Sequence, residues 1–427
     1  MKPAALALLC AGALATAAQG ADYSFDPAEI ESKPYEWSGF VEAKGEHLGL
    51  RPNAPLFPLT FAAEAPRRTL SRGTASFELA LKFRRDTLTA YARANGSAAG
   101  DAYATRSTGT LLEAGLRISP DEGLSLDLGK QVQRWGKGYA WNPVAFFERP
   151  KDPNDPATSR EGFVMASADW VKSRPGTLAA IGFTPVLLPV SSSVNGDYGS
   201  RGHTNFGAKL YLLLADTDID LLWAPQGSRP QRLGIDFSRN FGTQWELHGE
   251  WARAIGARRQ VLAADGSVGV QTGHADSWLL GARYVTESEV TWIAELYRNG
   301  AGYDDAELSR FYRLLEAAFE PGGTTQQQAQ VHALAQAGYG RANPGVHYAY
   351  LRVSTKDPFG WLYVNPALTT IVNLDDRSWQ LTPELVYTGW QNVELRARAV
   401  LLQGGAHSEY GAKAAGHRLE LSLRVYF

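Results

Sequence analysis

The chain has 427 residues, with 42 basic and 44 acidic side chains, a formal net charge of −2 and 44% hydrophobic residues. This composition is too apolar for a disordered chain, and the balanced charge argues against a nucleic-acid-binding protein, which usually has a basic excess. The length alone would suggest two or three domains, although closed barrels often reach this size as one unit.

The N-terminus predicts a secretory signal peptide over residues 1–21. Met1 and Lys2 form a short positive start, the apolar run Ala4–Ala18 follows, and small residues offer cleavage points near 17–21. The only cysteine, Cys10, lies inside this segment, and its context does not fit a lipoprotein anchor. We therefore expect a mature chain, 22–427, without disulfides, thiolate metal sites or covalently attached haem.

Beyond the signal, hydrophobic residues alternate with polar ones along most of the chain. From Ala75 to Phe83, for example, every second residue is apolar, and the same holds from Leu419 to Phe427. The longest apolar stretch, Leu178–Val190, contains two prolines and is too short for a membrane-spanning helix. The pattern predicts eighteen strands, near 36–48, 74–84, 87–96, 104–118, 122–134, 162–172, 176–187, 204–214, 217–225, 231–239, 243–255, 276–286, 289–299, 345–354, 361–372, 378–388, 392–402 and 416–427.

These strands fit either a soluble β-sandwich or a closed antiparallel transmembrane β-barrel. Three observations favour the barrel: the strands are long enough to cross a bilayer at a tilt, aromatic residues gather at strand ends, and tight connections alternate with ones that are longer on the whole. The tight connections are predicted at Arg84–Asp86, Ser119–Asp121, Ser173–Pro175, Ala215–Asp216, Asn240–Gly242, Thr286–Glu287, Thr355–Phe359 and Thr388–Gln391. The long ones include Gly49–Gly73, Trp135–Glu161, Leu188–His203, Ile255–Ala275 and Gly300–Gly345. Sixteen strands is the alternative count.

Residues 300–345 have a different period from the rest of the chain. Leu308, Phe311, Leu315 and Phe319 recur at helical spacing, and residues 326–336 continue with helix-forming residues. This predicts two short amphipathic helices in a long extracellular loop.

The last strand carries a resemblance to a known class. Apolar residues fall at Leu419, Leu421, Leu423 and Val425, and Tyr426 and Phe427 end the chain. This resembles the C-terminal signature of Gram-negative outer-membrane β-barrel proteins. The resemblance implies an outer-membrane location, contact with lipid and lipopolysaccharide, and recognition of Tyr426 and Phe427 by the barrel-assembly machinery. Eighteen strands is similar to the substrate-specific porins and alginate-export-like channels, which implies passive diffusion of small hydrophilic solutes without a cofactor.

In such a barrel the polar face of each strand lines an aqueous lumen. The basic residues predicted there are Lys82, Arg117, Lys209, Arg232, Arg352, Arg396, Arg398, Arg418 and Arg424. The acidic ones are Glu78, Glu113, Asp127, Asp236, Glu246, Glu250, Glu295, Glu394 and Glu420. Either the two signs segregate across the bore and bias passing solutes, or they pair between strands and stiffen the wall.

The segment 134–161 is the candidate constriction loop, because it interleaves cations, aromatics, glycines and prolines. By position it resembles the inward-folded loop of general porins. The residues predicted to narrow the pore or contact solute are Arg134, Trp135, Lys137, Tyr139, Trp141, Phe146, Phe147, Arg149 and Lys151. The aromatics could stack on sugars and the cations could bind anions, or the aromatics could pack on the barrel rim.

Other chemistry has little support in the sequence. None of the eight histidines forms a His-x-x-x-His pair, His407-Ser408 has no acid partner nearby in sequence, and Asp152, Asn154 and Asp155 lack EF-hand spacing. We therefore expect neither a catalytic site nor a metal site. The alternative to a channel is a structural barrel that sheathes or anchors a periplasmic partner from a secretion or electron-transfer complex. A barrel hydrolase is a weaker alternative.

Overall fold

The computed structural model describes residues 33–61 and 67–427, which form one eighteen-stranded antiparallel sheet. The predicted signal peptide, with Cys10, lies outside the described residues. The sheet is closed, because β1 pairs with both β2 and β18, so neither end of the ribbon is left as a free edge. The strands are β1 (Tyr35–Leu50), β2 (Thr69–Arg85), β3 (Leu88–Asp101), β4 (Thr105–Asp121), β5 (Leu124–Gln131), β6 (Phe163–Ser173), β7 (Leu178–Val190), β8 (His203–Leu214), β9 (Thr217–Ala224), β10 (Gln231–Phe241), β11 (Trp245–Leu262), β12 (Val268–Val285), β13 (Thr291–Arg298), β14 (His347–Ser354), β15 (Val364–Asn373), β16 (Trp379–Trp390), β17 (Val393–Gln403) and β18 (Ala415–Tyr426).

All eighteen predicted strands are confirmed, and the alternative of sixteen is wrong. One predicted loop, Ile255–Ala275, is mostly strand, since β11 continues to Leu262 and β12 already begins at Val268. Asp265-Gly266 forms the tip of this hairpin: Gly266 has a φ of 83° and the Asp265 carboxylate accepts a hydrogen bond from the Ser267 N–H at 2.9 Å. An Asp-Gly pair between two strands is a hairpin signal, so this hairpin was predictable.

The two faces of the sheet have opposite character. Leucines such as Leu280, Leu296 and Leu421 point outward and are exposed, whereas Asp236 and Glu295 point inward and are buried. A soluble protein buries such leucines, and a barrel in lipid exposes them to hydrocarbon. Every turn from an even-numbered strand to the next odd-numbered strand, such as β2–β3 and β4–β5, lies at one end of the barrel. The sheet also begins and ends there, and we call this the short-turn end. The opposite end is the long-loop end.

Short helices cover part of the long-loop end. The first, α1 (Phe57–Phe61), lies between β1 and β2 and was not predicted. The two predicted helices between β13 and β14 are confirmed as α2 (Asp305–Phe319) and α3 (Thr325–Leu334). Asp304 caps α2 by accepting the Glu307 N–H, and Thr324 caps α3. Among the described residues, no helix is both long and apolar enough to cross a membrane.

The helices share a hydrophobic core with the β11–β12 hairpin. Phe311 and Leu315 of α2 and Val331 of α3 are fully buried, and they pack with Leu262 at the tip of β11. The long hairpin and the helices therefore support each other above the barrel.

Candidate functional site in the barrel lumen

Residues 132–162, between β5 and β6, form a segment that we call loop 3. It leaves β5 and contacts inward-facing side chains on strands from across the barrel. These strands include β11 and β13, through Glu250 and Glu295, and β17, through Arg396. A loop outside the mouth could not contact all of these walls, so loop 3 lies within the lumen.

Two wall carboxylates hold the first half of loop 3 through its backbone. One oxygen of Glu250 accepts the N–H groups of Lys137 and Gly138, both at 2.6 Å, and the other accepts the Val144 N–H at 3.2 Å. Glu295 accepts the Ala140 N–H at 2.9 Å and the Tyr139 N–H. Hydrogen bonds from backbone N–H groups to an ionised acceptor are stronger than neutral ones. These bonds therefore fix the path of a segment that has no regular secondary structure.

The glycines of loop 3 allow this close approach. Gly136 has a φ of 94°, a conformation that favours glycine. A Cβ on Gly138 would lie 2.0 Å from the carbonyl oxygen of Trp141 and 3.2 Å from the Glu250 carboxylate. The Gly-Lys-Gly sequence is thus required by the turn around Glu250.

Three of the predicted solute-contacting aromatics face the barrel wall instead of the bore. Trp135, Phe146 and Phe147 are at most 2% exposed and pack in one apolar cluster with wall residues such as Phe163. Phe147 fits over Gly207 of β8, where an added Cβ would lie 2.1 Å from its ring. Because so little of their surface is exposed, these side chains mainly secure the loop against the wall. Whether they also contact a passing solute stays a prediction.

Trp141 and Tyr139 occupy a second cluster on the wall. The Trp141 ring stacks on Tyr297 at a centroid distance of 5.0 Å and also contacts Tyr350. Tyr139 contacts Tyr350 and is only partly buried. One face of the Trp141 ring is thus covered by Tyr297, which leaves less of the ring for stacking on a sugar.

The second half of loop 3 is attached to the other side of the lumen. Asp155 lies 3.5 Å from a guanidinium nitrogen of Arg396 and 3.4 Å from one of Arg398, both on β17. The Ser159 hydroxyl donates to Glu78 of β2 at 3.1 Å. The loop is therefore attached at several points around the wall.

Two of the four cations predicted in loop 3 pair with carboxylates in the described residues. The Lys137 ammonium lies 3.2 Å from Asp220 and 3.9 Å from Asp236. Arg149 pairs with Asp197 at 2.8 Å. Arg134, by contrast, is exposed.

The lumen charges largely pair between strands. The bond between Arg117 and Asp127 is 2.5 Å long, and Arg352 and Arg398 share Glu384 at 3.1 and 2.6 Å. Further described pairs are Lys82 with Glu36, Lys209 with Asp220, Arg396 with Glu394, Arg398 and Arg418 with Glu420, Arg424 with Glu42, and His248 with Glu246 and Glu295. Many of the predicted lumen charges are therefore paired, as expected if they stiffen the wall.

Loop 3 separates two chambers. The outer chamber, toward the long-loop end, has a volume of about 320 Å³, and its charged lining residues are Arg149, Lys151, Arg160, Arg229, Arg232, Arg253 and Glu148. The inner chamber, toward the short-turn end, measures about 440 Å³ and is lined by Lys82, Arg93, Arg117, Arg134, Lys209, Glu113, Asp127 and Asp169. The outer chamber thus has six basic residues and one acidic residue, whereas the inner chamber is more mixed.

Three cations of the outer chamber have no carboxylate within 4.0 Å in the described part of the chain: Lys151, Arg229 and Arg232. Burial, and then the neighbouring charge of Arg232, lower the pKa of Arg229 to about 10. Burial and the nearby Arg160 lower the pKa of Lys151 as well. Partly buried positive charges without acidic partners are costly, and a bound anion would relieve that cost.

Sequence reasoning missed several residues that line the chambers or contact loop 3. Arg229 lies in the short connection between β9 and β10, Arg160 binds Glu148 within loop 3 at 2.5 Å, and Asp220 faces Asp236 across neighbouring strands. Asp220 could have been found, because it lies on the same alternating face as Asp218. The position of Arg229 depends on how a distant loop folds.

The described residues form no metal-ligand cluster, and His407 and Ser408 do not pair with each other. No group of three or more His, Cys, Asp and Glu side chains there could hold a metal ion. His407 binds Glu316 at 2.7 Å, whereas the Ser408 hydroxyl donates to the carbonyl of Gly405 at 2.8 Å. His407 and Ser408 are thus each engaged with a different group.

No protein-family model matches the chain, and no curated protein sequence is significantly similar to it. Solved structures are similar in fold. Acinetobacter baumannii OccAB1 is 11% identical with a TM-score of 0.53, covering 92% of this chain and 96% of that one. Pseudomonas aeruginosa OccK5 (OpdH) is 14% identical with a TM-score of 0.50, covering 92% and 98%. The similarity extends over nearly the whole length of both proteins, and it shows that the chain shares their fold.

Proposed function

We infer that this chain is an outer-membrane channel for passive diffusion of small hydrophilic solutes. The observation that supports this most directly is loop 3, which is fastened inside a closed barrel and leaves a chamber on either side. A wide barrel with a polar interior is a water-filled path, and a fixed internal loop narrows it to a size and charge filter. Such transport follows the concentration gradient and needs neither a cofactor nor catalysis.

The chambers favour anionic over saccharide solutes. Lys151, Arg229 and Arg232 supply positive charge in the outer chamber without acidic partners, so a carboxylate or phosphate group would bind there. Sugar stacking has less support, because Trp141 stacks on Tyr297 and because Trp135, Phe146 and Phe147 are buried. Arg134, exposed in the inner chamber, would be the next cation that a solute meets.

We also propose an orientation in the membrane and a set of contacts for the barrel. With the short-turn end in the periplasm, the outer chamber faces the exterior of a Gram-negative cell. Lipid and lipopolysaccharide would surround the apolar face, and the assembly machinery would recognise Tyr426 and Phe427.

Single-channel conductance in planar bilayers tests the proposed function. We expect discrete open steps for the purified protein. The Trp141→Ala variant loses the stacking that holds loop 3 against β13, so its conductance should rise and its current should become noisier. Arg134→Ala keeps the loop attached but removes an exposed charge, so it should change ion preference with little change in step size. Folded protein that inserts but stays silent in all three forms would refute the channel.

A further inference from the structure

The connection between β14 and β15, residues 355–363, differs from every other described connection at the short-turn end. It is the longest of them, and it presents an apolar tip, Phe359-Gly360-Trp361-Leu362-Tyr363. Phe359 is 94% exposed, and Trp361 and Leu362 are 65% exposed each. We call residues 355–363 the aromatic turn.

The aromatic turn is held in a defined conformation. The Asp357 carboxylate accepts the Tyr363 N–H, and the Asp357 N–H donates to the carbonyl of Val364 at 3.0 Å. Phe359 and Tyr363 have φ values of 58° and 66°, in the left-handed region. A bulky residue is strained there, so the fold maintains an unfavourable backbone conformation that leaves apolar rings exposed.

The surroundings indicate which surface covers the tip. Trp292 of β13 and Trp390 of β16 are exposed on the outer face at the same end of the barrel. The aromatic turn joins this band, because the Thr388 N–H of β16 donates to the Tyr363 carbonyl at 3.0 Å. Aromatic side chains on the outer face at a barrel end lie at the boundary between hydrocarbon and headgroups. The exposed Lys356 at the base of the turn adds a positive charge suited to phosphate headgroups.

We propose that the aromatic turn is a membrane-interface anchor, which inserts Phe359, Trp361 and Leu362 into the adjacent phospholipid leaflet. The aromatic residues of the strands already contact the membrane interface. A turn that also contacts lipid helps to fix the depth and tilt of the barrel beside β14 and β15. The proposal rests on the barrel lying in a membrane, as the proposed function does, but not on conduction.

Site-specific labelling in pure lipid tests the anchor. Cys10 is the only cysteine in the sequence, so a Phe359→Cys variant of residues 22–427 carries one polarity-sensitive fluorophore. Ser288→Cys provides the matched control, since Ser288 is exposed in the β12–β13 turn at the same end. The labelled proteins are reconstituted in phosphatidylethanolamine–phosphatidylglycerol vesicles at high lipid-to-protein ratio. Iodide loaded on both sides of the membrane measures exposure to water, and brominated acyl chains measure contact with lipid.

The anchor predicts that brominated lipid quenches the label at 359 at least about threefold more than the label at 288, with the reverse order for iodide. Equal quenching by iodide at both sites would overturn it. A label at 359 that is open to iodide in vesicles but shielded after a periplasmic extract is added would also overturn it, in favour of a protein partner. The conductance of the unlabelled Phe359→Cys variant is recorded separately, so that a failed anchor and a failed channel give different results.

Discussion

At the scale of single residues, the outer chamber depends on cations that the fold leaves without acidic partners. Ion pairs of the wall, such as Arg398 with Glu384, have little net charge to offer a passing ion. Arg229 instead lies beside Arg232, and the pKa of Arg229 is lowered to about 10 by burial and by that neighbour. Ion preference should therefore be controlled by a few unpaired side chains and not by the total lumen charge.

We predict that Arg229→Gln lowers the anion-to-cation permeability ratio by roughly two- to threefold at neutral pH. The ratio is measured from the reversal potential in a salt gradient. Because the lowered pKa of Arg229 means that its charge is lost as pH rises through about 10, wild-type anion preference should decline between pH 8 and about 11. In Arg229→Gln, the part of this decline that comes from loss of the Arg229 charge should be absent.

Arg201→Gln is the matched control, since Arg201 is exposed near the same end and does not line the chamber. Its ratio and its pH profile should follow the wild type. A fall in the ratio of equal size in both variants would assign the preference to overall charge and contradict the role of Arg229.

At the scale of elements, loop 3 is an irregular segment that becomes rigid because the wall supplies its hydrogen-bond acceptors. Its backbone N–H groups at 137, 138 and 144 point to Glu250, in place of the carbonyl partners that a helix or strand would offer. A buried backbone donor without a partner costs about 1–3 kcal/mol, so Glu250 holds much of the first half of the loop and Glu295 holds the residues between.

We predict that Glu250→Gln lowers the free energy of unfolding by about 1–3 kcal/mol and increases current noise, because the amide loses the charge and one accepting position. Unfolding is followed in urea by the heat-dependent electrophoretic shift of the folded barrel. Glu246→Gln on the same face of β11 is the control, since Glu246 accepts only from the Ser238 hydroxyl and pairs with His248. Unchanged stability and noise in Glu250→Gln would show that the other attachments of loop 3 hold it without Glu250.

The sequence predicted elements better than it predicted contacts. Strands such as β18 are evident because lipid on one side and water on the other impose strict alternation on each of them. Glu250 and Glu295 could be placed on the lumen face for the same reason. Their partners in loop 3 lie more than a hundred residues away, however, and no local pattern encodes that distance. The burial of Phe147 was equally hidden, because it depends on Gly207 of β8 meeting it inside the closed barrel.

At the scale of the whole molecule, the fold depends on which solvent each face of the sheet meets. Leu280 of β12 is 54% exposed on the outer face, between Gly249 and Leu296 of the neighbouring strands. In water such a surface would drive aggregation, but in a bilayer it is the surface that stabilises the barrel.

We therefore predict that the lumen face tolerates an added charge and that the outer face does not. Leu280→Arg should lower the free energy of unfolding from vesicles by about 2–4 kcal/mol, the cost of a charged side chain facing lipid near the middle of the membrane. Thr110→Arg places the same side chain on the lumen face of β4, where it lines a cavity, and should cost less than about 1 kcal/mol. Both values come from reversible urea titrations of the protein with phosphatidylcholine vesicles. Equal costs at the two positions would mean that the outer face does not meet hydrocarbon, and the transmembrane orientation of the whole barrel would then have to be abandoned.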